Sequence, residues 1–160
     1  MSTTLIHRFS FLERIVHWVV GVTFVVLLGT GLAFAYPSLF WLTTLLGGGA
    51  AARVLHPQIG ALFGVGILFM FGLWVRDMFL DGQDRAWLGA IKHYATHDRE
   101  KVPPAGKYNA GQKLFFWVQS LLGIVFVVTG GLLWFPESFG AGWLNTARLL
   151  HYAATLGGGL

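Results

Sequence analysis

Hydrophobic residues in this chain form long uninterrupted stretches that polar segments separate. Three stretches each reach the roughly 20 residues that an α-helix needs to cross a ~30 Å hydrocarbon layer, and a fourth begins near Trp143. We therefore predict an all-α fold, an integral membrane four-helix bundle. The predicted membrane spans cover about 11–36, 55–76, 110–135 and 141–160.

The composition supports a membrane protein. Of the 160 residues, 55% are hydrophobic and 11% are charged, whereas roughly 25% of a typical globular domain is charged. We expect one membrane-embedded domain and no soluble one. The chain has no cysteine, which excludes disulfides, iron–sulfur ligation and thiol chemistry by its own residues. We identify no internal repeat, low-complexity tract or glycine-rich phosphate loop.

The distribution of basic residues predicts how the chain lies across the membrane. Nine Lys and Arg precede the first span or lie between the second and third, whereas Arg53 and Arg148 belong to the other side. By the positive-inside rule, the N-terminus and the long second connection lie in the cytoplasm. The basic residues on this side would face the anionic lipid surface, which accounts for the formal charge of +4. We therefore expect no nucleic-acid partner. The nine are Arg8, Arg14, Arg76, Arg85, Lys92, Arg99, Lys101, Lys107 and Lys113.

Local signals predict where three helices begin. Ser10 and Glu13 have the spacing of a capping box, which starts the first helix at Phe11. Asn109 marks the start of the third helix. Pro57 fits the first turn of the second span, where proline is tolerated.

The two longer connections differ in character. Residues 37–52 contain Trp41 and three consecutive glycines, which predicts an interfacial loop on the outer side. Residues 84–95 have one apolar stripe opposite charged residues, which predicts a short interfacial helix between spans two and three. The stripe consists of Trp87, Ile91 and Tyr94.

Three histidines lie near the ends of the apolar stretches, and each follows an arginine by three residues. An ionisable side chain inside a membrane segment indicates a functional site, and histidine is a haem ligand. On a helix, residues three apart share a face, so each arginine could neutralise a haem propionate. The pairs are Arg14 and His17, Arg53 and His56, and Arg148 and His151.

The predicted topology pairs two of these histidines. His56 and His151 both enter from the outer face at comparable depth, so they form a candidate bis-histidine pair for one haem. Gly60 and Gly64 leave a bare stripe below His56, which suits either a flat macrocycle or helix packing. His17 lies on the opposite side. Its partner would fall about 14 residues after His151, nearly four turns on, so we expect the natural chain to continue.

A candidate ligand site lies at the cytoplasmic start of the third helix. The amides of Asn109 and Gln112 can hydrogen-bond the carbonyl groups of a ligand, and Gly111 allows close backbone approach. The same spacing also suits a helix cap, and the two roles are compatible.

Simpler interpretations compete with these assignments. A membrane histidine can hydrogen-bond between helices, and an arginine can anchor at the interface. His93 and His97 have a metal-compatible spacing, but their charged neighbours favour a solvated surface. A transporter is disfavoured, because four short spans without discontinuous repeats lack its usual architecture.

Five segments together resemble a known family. They are 7–10 (His-Arg-Phe-Ser), 13–18 (Glu-Arg-Ile-Val-His-Trp), 55–60 (Leu-His-Pro-Gln-Ile-Gly), 107–113 (Lys-Tyr-Asn-Ala-Gly-Gln-Lys) and 150–151 (Leu-His). In this order, over nearly the whole chain, they resemble the gamma subunit of membrane-bound formate dehydrogenases, which are four-helix, di-haem cytochromes b. Each segment alone is weak evidence.

The resemblance implies a route for electrons. A periplasmic molybdenum or tungsten subunit would oxidise formate, and an iron–sulfur subunit with a membrane anchor would pass the electrons on. Two haems b would receive them, the outer one ligated by His56 and His151 and the inner one by His17. Menaquinone or ubiquinone would then be reduced beside the 108–112 motif, where Asn109, Gly111 and Gln112 would bind it.

The resemblance also implies a setting and leaves alternatives open. It places the chain in the bacterial cytoplasmic membrane, within a heterotrimer that could form a higher-order oligomer. A cytochrome b of a nickel–iron hydrogenase shares this architecture, and a haem-free membrane anchor is the alternative from another class. The electron donor is determined by the catalytic partner subunit, not by residues of this chain.

Overall fold

The described part of the chain is entirely helical. The computed structural model describes residues 9–104 and 106–158, and within these ranges it contains no strand. The all-α prediction is therefore confirmed. The predictions that involve His7, Arg8 and the last two residues of the fourth span lie outside the described residues. The α-helices are α1 (Phe11–Ala35), α2 (Gly49–Trp74), α3 (Gly82–Gly89), α4 (Ile91–Ala95), α5 (Ala110–Trp134) and α6 (Ala141–Gly158).

In the described ranges, four of the five connections between α-helices contain a 3₁₀ helix. The first covers ten residues of the connection that we predicted as a loop, so that segment is largely helical. The 3₁₀ helices are Pro37–Leu46, Val75–Met78, Arg99–Lys101 and Pro136–Ser138.

Helices α1 and α5 begin with the same capping arrangement. Ser10 Oγ accepts the backbone N–H of Glu13, and Glu13 Oε2 accepts the backbone N–H of Ser10 at 2.6 Å. Asn109 caps α5 in the same reciprocal way with Gln112. Each box satisfies backbone donors that a helix start leaves without partners. The predicted helix starts at Phe11 and after Asn109 are confirmed.

Helix α2 begins earlier than predicted. It starts at Gly49, because Gly47 and Gly48 adopt positive φ values of 87° and 97° that end the preceding 3₁₀ helix, and the alanines that follow favour a helix. Pro57 therefore lies inside α2, and its predicted first-turn position is wrong. Membrane helices tolerate such a proline because neighbouring groups can satisfy the freed backbone carbonyl.

Three helices are long and apolar enough to cross a membrane. They are Phe11–Ala35, Gly49–Met78, which includes the 3₁₀ turn after α2, and Ala110–Trp134. Their outward faces carry large exposed apolar side chains such as Val25, Leu68 and Leu121. A soluble protein rarely exposes so much apolar surface, whereas lipid covers it without cost.

The long helices pack in sequence, α1 on α2, α2 on α5 and α5 on α6. Glycines allow close contact between α2 and α5. A Cβ on Gly64 would lie 3.0 Å from Val127 Cγ2, and one on Gly123 would lie 2.8 Å from Ile67 Cδ1. Gly64 is thus a helix-packing residue, whereas nothing lies within 4 Å of a Cβ on Gly60.

The predicted helix over 84–95 is two short helices, α3 and α4, joined at Ala90. Its apolar stripe is divided as well. Trp87 is buried and packs 5.0 Å from the ring of Tyr94, whereas Ile91 and Tyr94 are exposed.

A buried ion pair attaches α3 to α5. Lys113 Nζ lies 2.5 Å from Asp84 Oδ2, and both side chains are less than a tenth exposed. The same ammonium donates to the backbone carbonyl of Phe79 at 3.1 Å. The segment that follows α2 is thereby fixed against the start of α5, beside the candidate quinone residues.

Candidate functional site

His56 on α2 and His151 on α6 face each other inside the helix assembly. Their ring centres are 6.4 Å apart, with an angle of 62° between the ring planes. Two imidazoles that bind one metal ion from opposite sides, each through a bond of about 2 Å, have ring centres roughly 6 Å apart. The spacing of this pair therefore fits a single iron between the two rings.

A threonine hydroxyl binds each of these rings at Nδ1. Thr30 Oγ1 of α1 lies 2.7 Å from His56 Nδ1, and Thr129 Oγ1 of α5 lies 2.8 Å from His151 Nδ1. Each hydrogen bond leaves Nε2 as the nitrogen available to a metal. Sequence reasoning missed both threonines.

A glycine follows each threonine and leaves space beside the imidazole. A Cβ on Gly31 would lie 3.8 Å from His56 Cε1, and one on Gly130 would lie 3.6 Å from His151 Cε1. Bare backbone therefore borders the ring edges next to Nε2, where a flat macrocycle would need room. The donor set, its spacing and this glycine cradle fit a bis-histidine haem.

The two halves of the chain repeat this local pattern, contrary to the absence of repeats stated above. The segments 30–31 and 129–130 both read Thr-Gly, with Pro37 and Pro136 at the same distance after each threonine. Residues 52–56 read Ala-Arg-Val-Leu-His and 147–151 read Ala-Arg-Leu-Leu-His, and both alanines are buried. Comparison of the two halves could have found the threonines.

The three arginines singled out in the sequence are exposed. Among the described residues, none of them forms an ion pair with a carboxylate. Arg148 donates to Asn145 Oδ1 at 3.0 Å, and the guanidinium of Arg14 lies over the ring of Phe11. Arg53 lies one turn before His56 on the same helix. All three cations are thus available to an anionic group from outside the protein.

His17 lies away from the histidine pair. Its side chain is exposed, and its ring contacts within the described residues are with Trp18 and Trp74, each at 6.4 Å. The indole N–H of Trp74 donates to Glu13 Oε1 at 2.7 Å, which connects the end of α2 to the start of α1. The structure does not bring a second histidine to His17 within these residues.

Asn109, Gly111 and Gln112 lie together at the start of α5. The side-chain oxygens of Asn109 and Gln112 serve the capping box at 2.9 and 3.1 Å, which leaves both amide NH₂ groups as donors. Gly111 is half-buried against Trp87, and a Cβ on it would lie 3.4 Å from Trp87 Cη2.

A charged network borders these residues. Lys107 Nζ lies 2.9 Å from Asp77 Oδ2 and 3.9 Å from Glu13 Oε1. The hydrogen bond to Asp77 holds the pKa of Lys107 above its usual value, and burial raises the pKa of the Tyr108 phenol. A cavity of about 160 Å³ lies beside Tyr108, and its charged lining residues are Asp77, Asp81, Asp84, Lys107 and Lys113.

His93 and His97, which have a metal-compatible spacing, lie in the last turn of α4 and just after it. His93 Nδ1 lies 3.5 Å from Asp98, and His97 is exposed with a φ of 60°. No group of three metal-binding side chains occurs in 9–104 or 106–158.

Comparisons with known proteins identify the family of this chain. The family model described as prokaryotic cytochrome b561 matches residues 8–159. The chain is 36% identical over 158 residues to the "Formate dehydrogenase, nitrate-inducible, cytochrome b556(Fdn) subunit" of Escherichia coli strain K12, covering 96% of this chain and 72% of that one. It is 30% identical to the "Formate dehydrogenase, cytochrome b556(fdo) subunit" of the same strain, covering 93% and 71%. A third relative, the "Formate dehydrogenase, cytochrome b556 subunit" of Haemophilus influenzae Rd, is 33% identical, with 88% and 60% covered. This chain therefore belongs to the prokaryotic cytochrome b561 family of membrane proteins, together with the cytochrome b subunits of formate dehydrogenase.

Proposed function

We propose that this chain is the di-haem subunit through which a formate dehydrogenase reduces membrane quinone. The observation that carries this proposal is the opposed pair of imidazoles, His56 and His151, at a spacing that fits one iron. The family membership and the names of the relatives support formate as the electron source. We further propose that the membrane is the bacterial cytoplasmic one.

In this proposal α6 is the fourth span, and α3 and α4 lie on the cytoplasmic surface. Helix α6 packs along α5 and carries His151, which meets His56 of α2. The basic residues between α2 and α5 outnumber those at the other end, which supports a cytoplasmic N-terminus. His56 and His151 then belong to the outer half of the membrane.

The outer site would hold its haem through Nε2 of the two histidines. When bound, haem iron supplies one-electron chemistry, because it alternates between its ferric and ferrous states. Arg53 and Arg148 each lie one turn from a ligand, are exposed and have no carboxylate partner among the described residues. They would bind the propionates, which would otherwise place uncompensated negative charge near the lipid.

The inner site would use His17. Along α1, His17 and Thr30, which binds His56, are separated by a rise of roughly 20 Å, so His17 lies at the opposite side of the hydrocarbon layer. Arg14 lies one turn nearer the N-terminus of α1 and is exposed, so it is the candidate propionate partner there.

Quinone would bind at the start of α5, close to His17. The contacts from His17 to Trp74, from Trp74 to Glu13 and from Glu13 to Lys107 support this proximity. The free amide NH₂ groups of Asn109 and Gln112 would donate to the quinone carbonyls. Gly111 lies between them, but the side where it lacks a Cβ faces Trp87. Quinone reduction takes up two protons for two electrons, and the charged residues that line the cavity beside Tyr108 would pass these protons from the water.

The partners follow from the chemistry that this chain lacks. It has no cysteine for an iron–sulfur cluster, so a separate iron–sulfur subunit with a membrane anchor would deliver the electrons. A molybdenum or tungsten subunit would oxidise formate, and the heterotrimer could assemble further.

Replacement of the outer ligands tests the proposal. In the complex purified from membranes, His56→Ala and His151→Ala should each remove one haem equivalent and abolish formate-dependent quinone reduction. His93→Ala is the matched control, because His93 is a histidine outside the site. Normal haem content in both ligand variants would contradict the proposed function. If the haems are lost but the co-purified catalytic subunit oxidises hydrogen, only the assignment of the donor is wrong.

A further inference from the structure

Threonine 30 and threonine 129 occupy equivalent places around the histidine pair. Thr30 reaches His56 from α1 and Thr129 reaches His151 from α5, at 2.7 and 2.8 Å. Both threonines are almost fully buried, with 3% and 4% of their surface exposed. A pair of buried polar contacts repeated in both halves of the chain indicates a shared role.

The direction of these hydrogen bonds follows from the contacts that each hydroxyl makes with carbonyl oxygens of its own helix. Thr30 Oγ1 lies 2.9 Å from the carbonyl oxygen of Val26, and Thr129 Oγ1 lies 2.5 Å from that of Val125. A carbonyl only accepts, and two oxygens repel at such distances unless a hydrogen lies between them. A threonine has one hydroxyl hydrogen, so each is used in its own helix.

Each hydroxyl can therefore only accept from the imidazole. Nδ1 of His56 and of His151 must carry the ring hydrogen, so in both rings Nε2 has the free electron pair. The bond also fixes the rotation of each ring, because the hydroxyl is held by a buried turn of helix.

We propose that Thr30 and Thr129 are positioning residues that set the tautomer and orientation of His56 and His151. By doing so, they lower the reduction potential of the haem that the two histidines share. This inference rests on the proposed function. Accepting the Nδ1 hydrogen bond makes an imidazole a stronger electron donor to iron, which favours the ferric state. Two such bonds act on the same iron from opposite sides.

The test uses the full-length chain in its haem-loaded complex. Thr30→Val and Thr129→Val keep the side-chain shape but remove the acceptor, and Thr30→Ser and Thr129→Ser restore a hydroxyl. Thr23→Val is the matched control, since Thr23 is a buried threonine of α1 that binds the carbonyls of Val19 and Val20. The readouts are haem content, the potential from a spectroscopic redox titration, and the electron paramagnetic resonance g values, which depend on the angle between the imidazole planes.

We expect each valine variant to raise the equilibrium constant for reduction of the outer haem by about threefold to tenfold. For one electron, each factor of ten corresponds to a rise of about 59 mV in the reduction potential. The haem component that is absent from His151→Ala identifies the outer haem. Serine should return its potential to the parent value, and Thr23→Val should not change it. Loss of haem from the valine variants, with retention in the serine variants and in Thr23→Val, would support the same role.

Parent-like potentials and g values in both valine variants would overturn this inference and leave the histidine ligation intact. A serine variant that behaves like the valine variant would also overturn it, because the hydroxyl would then not be the cause. A parent complex without b-type haem would instead refute the proposed function itself.

Discussion

Asn109 and Gln112 each bind the other's backbone through a side-chain oxygen. Asn109 Oδ1 accepts the N–H of Gln112 at 2.9 Å, and Gln112 Oε1 accepts the N–H of Asn109 at 3.1 Å. A capping role therefore uses only the oxygen of each amide. The nitrogen of each remains available to a ligand, so capping and quinone binding can be separated by mutation.

Asn109→Ser and Gln112→Glu should lower quinone reduction while preserving the fold. Serine caps a helix about as well as asparagine, and glutamate completes a capping box, but neither retains the amide donor. Loss of one donor to a quinone carbonyl should cost roughly 1 to 1.5 kcal/mol, or about a tenfold fall in kcat/KM for quinone. Reduction of both haems by the physiological donor should remain normal in stopped-flow measurements.

Asn109→Ala serves as the comparison, because it also removes the cap and should destabilise the protein by about 1 kcal/mol. If Asn109→Ser and Gln112→Glu reoxidise their haems with quinone at the parent rate, quinone binds elsewhere. The exposed Ile91 and Tyr94 of α4 would then be the next residues to replace.

Arg53→Leu should lower the reduction potential of the outer haem without loss of the haem. Removal of a cation about one turn away makes addition of an electron less favourable, by roughly 1 kcal/mol where water screens the charge, or a few-fold in the equilibrium. Arg148→Leu should act in the same direction on the same haem. Redox titration measures both.

Arg85→Leu is the control for charge alone, since Arg85 is an exposed arginine of α3 at the other end of the helices. Potentials that change equally in Arg53→Leu and Arg85→Leu would indicate a general loss of charge. Potentials that do not change at all would make Arg53 an interfacial anchor.

The histidines could be predicted from the sequence because ionisable side chains inside apolar stretches are rare and costly. Their threonine partners could not be predicted in the same way, since a threonine in a membrane helix usually binds its own backbone, as Thr23 does. Only the repeat around Thr30 and Thr129 distinguishes them. Connections of different length separate Thr30 from His56 and Thr129 from His151, so a search for a constant period does not find the repeat.

The start of α2 shows a different limit. The glycines at 47–49 suggested a connection, and Pro57 suggested a helix start just before it, yet the helix begins at Gly49. Positive φ was needed at only Gly47 and Gly48, and this requirement depends on the packing of the preceding 3₁₀ helix. The capping boxes at Ser10 and Asn109 were predictable because their hydrogen bonds are local.

Lys113→Met should destabilise the folded chain by roughly 3 to 5 kcal/mol. The change leaves the buried carboxylate of Asp84 without its cation, and an unpaired buried charge is far more costly than a missing pair. Unfolding in detergent, followed by circular dichroism, measures the loss.

A second substitution tests the cause. Asp84→Asn in the Lys113→Met background removes the stranded charge but keeps an oxygen that can accept the backbone N–H of Asp81, as Asp84 Oδ2 does at 2.9 Å. Most of the lost stability should return. A double variant as unstable as Lys113→Met would show that the lysine acts through packing.

Asp81 should make stability depend on pH in the acidic range. Its carboxylate accepts the backbone N–H of Asp84 and of Gln83 at the start of α3, and the first of these bonds is the main reason that its pKa lies below the usual value of 3.8. The folded state thus favours the charged form. The contribution of Asp81 to the free energy of unfolding is fully present above about pH 3.8, and it disappears as the pH falls through the lower pKa of the folded state.

Asp81→Asn retains a capping oxygen but does not titrate. The effects of all other acidic residues therefore cancel when this variant is compared with the parent protein. The difference in Tm between the parent and this variant should narrow as the pH is lowered from 5 towards 3. A difference that stays constant over this range would contradict the role assigned to the Asp81 charge.

Gly66→Ala should disturb the contact between α1 and α2, whereas Gly72→Ala should not. A Cβ on Gly66 would lie 2.7 Å from Val20 Cγ2, and Val20 is buried and has a stiff side chain because it is β-branched. Overpacking of this kind costs about 1 to 3 kcal/mol. Nothing lies within 4 Å of a Cβ on Gly72 of the same helix, so alanine there changes only the helix propensity. Thermal unfolding of both variants in detergent measures the difference, and equal stability would mean that Val20 can move aside. A larger effect on the haem assigned to His17 than on the outer haem would further show that the α1–α2 contact holds the inner site.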